Sequence, residues 1–381
     1  MAYFDNAATT YPKPECVYEY MDCFYRGNGA SVGRGNYEKA VTAHHLLADT
    51  RKQIQNLLHC PAKQVIFTPT ATVALNMIIQ GLLQNGKKTV YITPFEHNAV
   101  TRVLHCYEEK NKADRHILKV TSQLEYDIGA IERQFEMNRP DIVIMSHASN
   151  VCGLIAPVEK ISVLAKRYGA VVVIDMAQTA GLVDCNIGLE TIDFAVFAGH
   201  KTLYGPTGIS GFVMNPAIDL PVVYFGGTGF ESANQNMPES IPERFETGTM
   251  NISGIAGLNA ALRWISEVSL DRIRNQETQN RQKLLGVLSE YSFIKPVGIS
   301  PSGEYVGVVS ALIDGISSDS AGSVFDRLGI SVRTGLQCAP LAHKFLGTFP
   351  SGTIRFSVGY FTNNDDFKAL RDALSYIRDN L

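Results

Sequence analysis

Two residues of this chain, Lys201 and Asp175, could do chemistry together, because each follows a short apolar run. The first run covers residues 192–197 and the second covers residues 170–174. Short runs rich in β-branched and aromatic residues are typical of buried strands, and open α/β sheets bind ligands at the carboxyl ends of their strands. A lysine amine in such a crevice loses its proton more easily, which makes Lys201 a candidate for a Schiff base with an aldehyde.

Asp175 indicates which aldehyde this could be. A buried carboxylate without a partner costs free energy. The protonated ring nitrogen of pyridoxal phosphate is such a partner, and a lysine holds the aldehyde of the same cofactor as an imine. Two simpler interpretations remain open: Lys201 as a loop lysine in water, and Asp175 as a turn or helix-capping residue after its strand.

The elements around these residues are predicted to alternate between strands and helices. Strands over 141–145 and 170–174 enclose a helix over 157–168. This is a βαβ unit, so the sheet is predicted to be parallel there. Another strand, over 64–70, leads into a helix over 71–80.

Two of the predicted turns carry residues suited to the cofactor. Thr70 is a predicted N-cap, and the free N–H groups at the start of its helix suit a phosphate, although an ordinary capped helix is the alternative. His97 lies beyond a strand over 88–93, where its imidazole could stack on a pyridine ring and exchange protons. A purely structural histidine is the alternative there.

Helical periodicity predicts which faces of two further helices are buried. A helix over 40–58 is predicted to turn Val41, His45, Ala48 and Ile54 inward. The last helix, over 362–381, is predicted to bury Phe367, Leu370, Leu374 and Ile377. Between them, the C-terminal part is predicted to have strands over 305–313, 330–333 and 353–358 and a helix over 318–328.

Composition limits the class of protein. The 381 residues are 45% apolar with a net charge of −3, and that length suggests two or three domains. The absence of a basic excess argues against nucleic acid, and the apolar runs are too short to cross a bilayer. The first residues lack the pattern of a signal peptide, so a cytoplasmic protein is expected. Seven cysteines without a CxxC pair predict neither a metal site nor a disulfide framework.

A series of segments, spread from residue 5 to residue 357, resembles the class V aminotransferase family of pyridoxal phosphate enzymes. Within that family the chain is most similar to the cysteine desulfurases of group II, which are selenocysteine lyase-like. The segments are Asp5-Asn-Ala-Ala-Thr-Thr10, Glu96-His-Asn98, Ser149-Asn150, Asp175-Met-Ala-Gln178, Gly199-His-Lys201, Phe245-Glu-Thr-Gly-Thr249, Arg333-Thr-Gly-Leu-Gln-Cys-Ala339 and Arg355-Phe-Ser357.

The resemblance implies a fold and a cofactor site. The fold is α/β, the fold type I of pyridoxal phosphate-dependent transferases, with a large, mainly parallel seven-stranded sheet domain over 15–255 and a smaller α+β domain over 1–14 and 256–381. The implied cofactor residues are Lys201, Asp175, Gln178, His97, Thr72, Ala71, His200, Asn150 and Thr249. Gln178 is expected to contact the ring hydroxyl and Thr72 the phosphate. Thr249 is expected to reach the phosphate of a partner subunit, which implies a homodimer.

The resemblance also implies a reaction. Lys201, Cys338 and His97 are the expected catalytic residues, and Arg355 and Asn150 are expected to bind the substrate. L-cysteine would become L-alanine, with its sulfur left as a persulfide on Cys338 and then passed to an acceptor protein or a thiol. Taken singly, Cys338 could be an inert thiol and Arg355 a surface ion pair. The alternative functions are a selenocysteine lyase, an aminotransferase or lyase on another amino acid, and a non-catalytic cofactor-binding scaffold.

The sequence departs from the family pattern at three positions. Ala198 occupies a position where many desulfurases have a phosphate-binding serine. Thr202 is an extra residue after the lysine, which is expected to shift Tyr204. Gln337 precedes the cysteine where histidine is common, so the base that deprotonates Cys338 is not identified by the pattern.

Overall fold

The computed structural model describes residues 1–30, 35, 37–229 and 233–380. The described helices are α1 (Glu15–Asn28), α2 (Glu38–Leu57), α3 (Ala71–Gln84), α4 (Asn98–Glu108), α5 (Ile128–Met137), α6 (Val158–Arg167), α7 (Ile252–Val268), α8 (Leu270–Ser289), α9 (Ser318–Arg327), α10 (Pro340–Phe345) and α11 (Asn364–Asn380). The described strands are β1 (Ala2–Tyr3), β2 (Gln64–Thr68), β3 (Thr89–Ile92), β4 (Asp114–Ile117), β5 (Ile142–Ser146), β6 (Val171–Asp175), β7 (Phe194–Ala198), β8 (Ser210–Met214), β9 (Ile294–Val297), β10 (Val308–Ile313), β11 (Ile330–Ser331), β12 (Arg333–Gly335) and β13 (Thr353–Ser357).

The central sheet has seven strands among the described residues, in the order β2-β8-β7-β6-β5-β3-β4. Only β8 runs antiparallel to its neighbours in this sheet, so the predicted mainly parallel sheet is confirmed. Strands β5 to β8 are buried along their whole length. They read as continuous apolar runs because helices cover both faces of the sheet.

Each face of this sheet belongs to its own hydrophobic cluster. Val196 of β7 lies in the cluster that contains Ile78 of α3. Its neighbour Phe197 points the other way and lies in the cluster that contains Leu258 of α7. The alternation fixes which side chains reach the carboxyl end of the sheet, because a one-residue shift would exchange the two faces.

The C-terminal part forms a smaller α+β unit. Its antiparallel sheet has the order β12-β13-β10-β9 within the described residues. The face predicted for the last helix is confirmed, since Phe367, Leu370, Leu374 and Ile377 of α11 are all buried in the same cluster as Phe356 of β13. Strand β1, at the N-terminal end, pairs with β11. The predicted domain division after residue 255 falls inside α7 and stays a prediction.

Two predictions about local structure are wrong. In α2, Val41, His45 and Ala48 are exposed, and of the predicted face only Ile54 is buried. The observed buried face consists of Ala40, Ala43, Leu46, Leu47, Thr50 and Ile54. The single strand predicted over 330–333 is two strands in two sheets, β11 beside β1 and β12 beside β13.

Among the described residues, none of the helices has the length and apolar character that a membrane span requires.

Candidate active site

A cavity of about 260 Å³, here called the inner cavity, opens at the carboxyl ends of β5, β6 and β7. Ser146 and Asp175 are register partners at the ends of two of these strands, and Lys201 lies three residues beyond the third. The inner cavity brings together most of the predicted site residues, namely Lys201, Asp175, Gln178, His97, Thr72, Ala71, His200 and Asn150.

Lys201 presents its amine to this cavity. Burial lowers the pKa of Lys201 to about 8, and the charge of Arg355 acts in the same direction, while Asp175 opposes it. At neutral pH a larger fraction of Lys201 is therefore unprotonated than of an ordinary lysine, as bond formation with an aldehyde requires.

Asp175 and Gln178 follow β6 in one turn. Asp175 is 7% exposed, and its Oδ1 accepts a hydrogen bond from the N–H of Ala177 at 2.9 Å. A carboxylate has more acceptor positions than this one bond fills, so a cationic ring nitrogen could also be bound. Nε2 of Gln178 donates to the carbonyl oxygen of Ala7 at 2.9 Å, which ties the N-terminal segment to the inner cavity.

His97 is the N-cap of α4. Its Nδ1 accepts a hydrogen bond from the N–H of Ala99 at 3.0 Å, so in the neutral ring the proton must be on Nε2. Burial lowers the pKa of His97, although Asp175 acts in the opposite direction. A neutral, flat imidazole therefore lines the inner cavity at neutral pH.

The end of the inner cavity at α3 has groups that suit a phosphate. Thr70 caps α3 as predicted, with its Oγ1 accepting from the N–H of Val73 at 3.2 Å. Ala71 and Thr72 form the first turn of this helix and line the cavity. Within the described part of the chain, Nδ1 of His200 is buried without a hydrogen-bond partner. Burial lowers the pKa of His200 to about 4, so a neutral ring with an unused polar atom lies here.

Arg355, on β13, is 3% exposed and lies beside the inner cavity rather than in its lining. Its Nη2 donates to Oδ1 of Asp5 at 2.8 Å, and its Nη1 donates to the backbone oxygen of Asn150 at 3.0 Å. The remaining Nε is buried and has no partner among the residues that the structure describes. Burial lowers the pKa of Arg355, and the charge of Asp5 opposes this shift. The guanidinium is therefore a fixed, oriented cation that can bind an anion.

Three residues of the site received no role from the sequence. Asp5 binds both Arg355 and Arg333, whose Nη2 donates to its Oδ2 at 2.7 Å. Nζ of Lys13 donates to the backbone oxygen of His200 at 2.6 Å, and burial lowers the pKa of Lys13 to about 7. Glu96 is fully buried, and burial raises its pKa to about 7. Asp5 and Glu96 lie in the family-like segments, which is the signal that could have identified them.

Glu96 connects two strands beneath the site. It accepts hydrogen bonds from Oγ1 of Thr93 at 2.6 Å and from Oγ and N–H of Ser146 at 2.8 and 2.7 Å. These bonds tie the end of β3 to the end of β5, and His97 follows Glu96 directly in the chain. Glu96 therefore fixes the backbone directly before His97.

Cys338 is exposed in the loop between β12 and α10. It lines an adjoining cavity of about 420 Å³, here called the outer cavity, which shares Thr72, His97 and Ala99 with the inner cavity. Electrostatic interactions connect Cys338 with Lys201, Arg355 and Arg333. The thiol therefore lies in the outer cavity, which shares His97 with the inner cavity, and it interacts electrostatically with Lys201, Arg355 and Arg333.

The structure shows the surroundings of the three residues that depart from the family pattern, namely Ala198, Thr202 and Gln337. Ala198 ends β7 and lines the inner cavity with a methyl group. Thr202 is buried in the turn after Lys201, and Tyr204 has a φ of +57° and packs against Trp264. The side chain of Gln337 is buried and points away from both cavities into the small sheet.

Thr249 is not brought together with the other cofactor residues. It lines a separate cavity of about 240 Å³, together with Phe245 and Tyr224. Tyr224 and the adjacent Phe225 are 59% and 72% exposed. A role for Thr249 at the cofactor of a partner subunit stays a prediction.

Comparisons with known proteins cover the whole of this site. A family model described as "Aminotransferase class-V" matches residues 2–370. Proteins named "Probable cysteine desulfurase" from Vibrio cholerae and Pyrococcus abyssi are each 30% identical to the chain, with alignments that cover 98% of it and 93% of each relative. The apo structure of a cysteine desulfurase from Thermococcus onnurineus NA1 is 28% identical and superposes with a TM-score of 0.86, over 100% of this chain and 95% of that one.

Proposed function

Because the chain belongs to the class V aminotransferase family, we propose that it is a pyridoxal phosphate-dependent cysteine desulfurase. It converts L-cysteine to L-alanine and leaves the sulfur as a persulfide on Cys338. The observation that carries this proposal is the position of Cys338, an exposed thiol in the outer cavity, which shares His97 with the inner cavity around Lys201. An amine, a ring-stacking imidazole and a nucleophilic thiol are thereby combined in one site.

The residues of the inner cavity fit the cofactor. When bound, pyridoxal phosphate supplies an aldehyde and an electron-withdrawing ring, which makes the Cα hydrogen of an amino acid acidic. Lys201 would hold the aldehyde and Asp175 the ring nitrogen. Ala71, Thr72 and Nδ1 of His200 would hold the phosphate, and the remaining predicted contacts would come from Gln178, His97 and Asn150.

Arg355 binds the carboxylate of the substrate. Its Nε is free while Asp5 and the backbone of Asn150 fix the plane of the guanidinium, so the group needs little further ordering to bind an anion. Asn150 lines the inner cavity and would contact the substrate or the ring.

Sulfur transfer is the step assigned to Cys338. Its thiolate attacks the sulfur of the substrate, and an S–S bond forms as the C–S bond breaks. The electron pair of the C–S bond stays on the substrate carbon, which takes a proton, so no external oxidant or reductant is required. Lys201 and His97 are the proton carriers within reach of the inner cavity.

Two surfaces of the protein suit partners, namely the outer cavity and the exposed aromatic residues near position 224. The outer cavity gives an acceptor thiol a route to the persulfide on Cys338. The exposed ring of Tyr224, which lines the same cavity as Thr249, and that of the adjacent Phe225 suit a contact with a second copy of the chain, which supports the predicted homodimer. A cytoplasmic location remains a prediction from the sequence.

The test is to measure alanine and sulfide from L-cysteine with a thiol reductant present, for the wild-type holoenzyme and Cys338→Ser. Turnover should be lost in Cys338→Ser. Cys106→Ser is the matched control, because Cys106 is also an exposed thiol of the outer cavity, and it should keep wild-type turnover. Equal rates of alanine formation in the wild type and Cys338→Ser would refute the persulfide step, and a keto acid product would favour an aminotransferase.

A further inference from the structure

The loop that carries Cys338 has an unusual backbone. Gln337 and Cys338 have φ values of +39° and +56°, which place two consecutive residues with side chains in the left-handed region. This conformation costs about 1–2 kcal/mol per residue, so it persists only where surrounding contacts hold it. Two of these contacts are to the backbone: Nδ2 of Asn150 donates to the oxygen of Gln337, and the N–H of Asn98 donates to the oxygen of Cys338, both at 2.7 Å.

The side chain of Gln337 supplies further contacts. It is buried, and its Nε2 donates to the backbone oxygen of Thr353 on β13 at 3.0 Å. Because the amide nitrogen faces a carbonyl oxygen, the amide oxygen is the acceptor in the second bond. That bond joins Oε1 of Gln337 to Nε2 of His343 on α10, at 2.8 Å. The loop is thus fastened to the small sheet on one side and to α10 on the other.

The protonation state of His343 follows from these partners. Nε2 must carry the proton that it gives to Gln337, so Nδ1 accepts from Oγ1 of Thr348, at 2.7 Å. His343 is fully buried, and burial lowers its pKa to about 4. The ring is therefore neutral at any pH near 7, and the bond to Gln337 does not switch with pH in the working range.

We propose that Gln337 and His343 are positioning residues for sulfur transfer, holding the thiol of Cys338 in the outer cavity, which shares His97 with the inner cavity. The proposal rests on the function proposed above for Cys338. A glutamine cannot accept a proton, and the side chain of Gln337 faces away from the thiol, so it acts through the backbone of the loop and not as a base. Loss of either side chain lets the loop relax and moves the thiol of Cys338 away from the wall that the outer cavity shares with the inner cavity.

The experiment uses the holoenzyme with Gln337→Met and His343→Leu, which remove the bond between the two side chains. We expect kcat for L-cysteine to fall about tenfold in both variants while KM changes less than about twofold, because the loop loses the buried bond between Gln337 and His343. Gln337→Met also removes the bonds between this side chain and Thr353. The rate at which iodoacetamide alkylates Cys338, measured by peptide mapping, should differ severalfold from the wild-type rate. His343→Gln should restore both rates, because its amide can donate to Gln337 from the place of the ring nitrogen.

The control is Gln134→Met, which removes a similar amide bridge in α5. Nε2 of Gln134 donates to the backbone oxygen of Ile117, and its Oε1 accepts from the N–H of Lys119. Wild-type kcat and wild-type alkylation of Cys338 in Gln337→Met would overturn the proposal. If Gln337→Met is too unstable to purify, the kcat and alkylation rate of His343→Leu are compared with those of His343→Gln. Wild-type values in His343→Leu would then overturn the proposal. Full turnover by Cys338→Ser would instead refute the proposed function. The alkylation of Cys338 in the Gln337 and His343 variants would still report how these side chains hold the loop.

Discussion

At the scale of single residues, the protonation states of the site's nitrogen groups depend on burial more than on ion pairs. Burial lowers the pKa of Lys201, of His97 and of His200, so all three groups lose their charge more easily than in water. Arg355 differs because Asp5 and the backbone of Asn150 fix its orientation. The result is one retained cation for a carboxylate, beside neutral nitrogen groups for proton transfer and phosphate binding.

We predict that the apoprotein captures pyridoxal phosphate faster as the pH rises, with a midpoint near 8. Only the unprotonated amine of Lys201 attacks the aldehyde, and burial lowers its pKa from 10.5 to about 8. The rate is followed by the visible absorbance of the bound cofactor. Lys201→Ala should not develop the absorbance band of the imine. Lys295→Ala, which removes a surface lysine paired with Asp314, should keep the wild-type profile. A midpoint near 10.5 would contradict the lowered pKa.

The same pKa shift affects the stability of the apoprotein. Between pH of about 8 and 10.5, folded Lys201 has lost its proton while the unfolded chain still holds it. The unfolded state therefore binds more protons in this window, and Lys201 makes the free energy of unfolding rise with pH there. Below this window both states are protonated, and the folded state carries the full cost of the buried ammonium.

At the scale of elements, the parts of the site on the central sheet could be predicted from the sequence. Strands buried on both faces leave continuous apolar runs, so the positions of Asp175 and Lys201 after their runs are visible without a structure. The inner face of α2 was missed because much of it consists of small or polar residues, such as Ala43 and Thr50, which give a weak periodic signal. Asn259 of α7 donates to Oγ1 of Thr50 at 3.0 Å, a contact between helices that no local pattern shows.

The packing of the central sheet predicts opposite effects for two glycine substitutions. In Gly211→Ala, the new Cβ would lie 2.6 Å from Cζ of Phe197 and against the backbone of β2, so we expect a loss of about 1–3 kcal/mol or more. In Gly286→Ala, on α8, the Cβ meets no described atom within 4 Å, so a gain of up to about 1 kcal/mol is expected. Urea denaturation measures both. Equal stability of the two variants would show that β8 is packed differently.

At the scale of the whole molecule, the site is assembled from distant parts of the chain. Asp5 and Arg355 form an ion pair across 350 positions, and Asn150 contacts Gln337 across 187. Such pairs could not be derived from local periodicity, and only the resemblance to a family put these segments together. The same holds for Thr249, whose predicted partner lies in a second copy of the chain.

We predict that mixed dimers of two defective variants regain a complete site. Lys201→Ala retains Thr249, and Thr249→Ala retains Lys201, so a mixed dimer has one site with both residues if Thr249 serves the partner's cofactor. Each variant alone should bind the cofactor weakly or be inactive, and co-refolding them should restore part of the turnover. Thr247→Ala, in the same cavity, is the control and should keep wild-type cofactor affinity. A lack of recovery in proven mixed dimers would contradict the shared site.

The proposed function depends on the transfer of sulfur from L-cysteine to Cys338. The most direct measurement is peptide mass spectrometry after a single turnover of the holoenzyme without a reductant. We expect the mass of one added sulfur atom on the peptide that contains Cys338, in step with the alanine formed, and no added sulfur in Lys201→Ala. Alanine formation with an unmodified Cys338, or with the added sulfur on Cys106 alone, would contradict the claim.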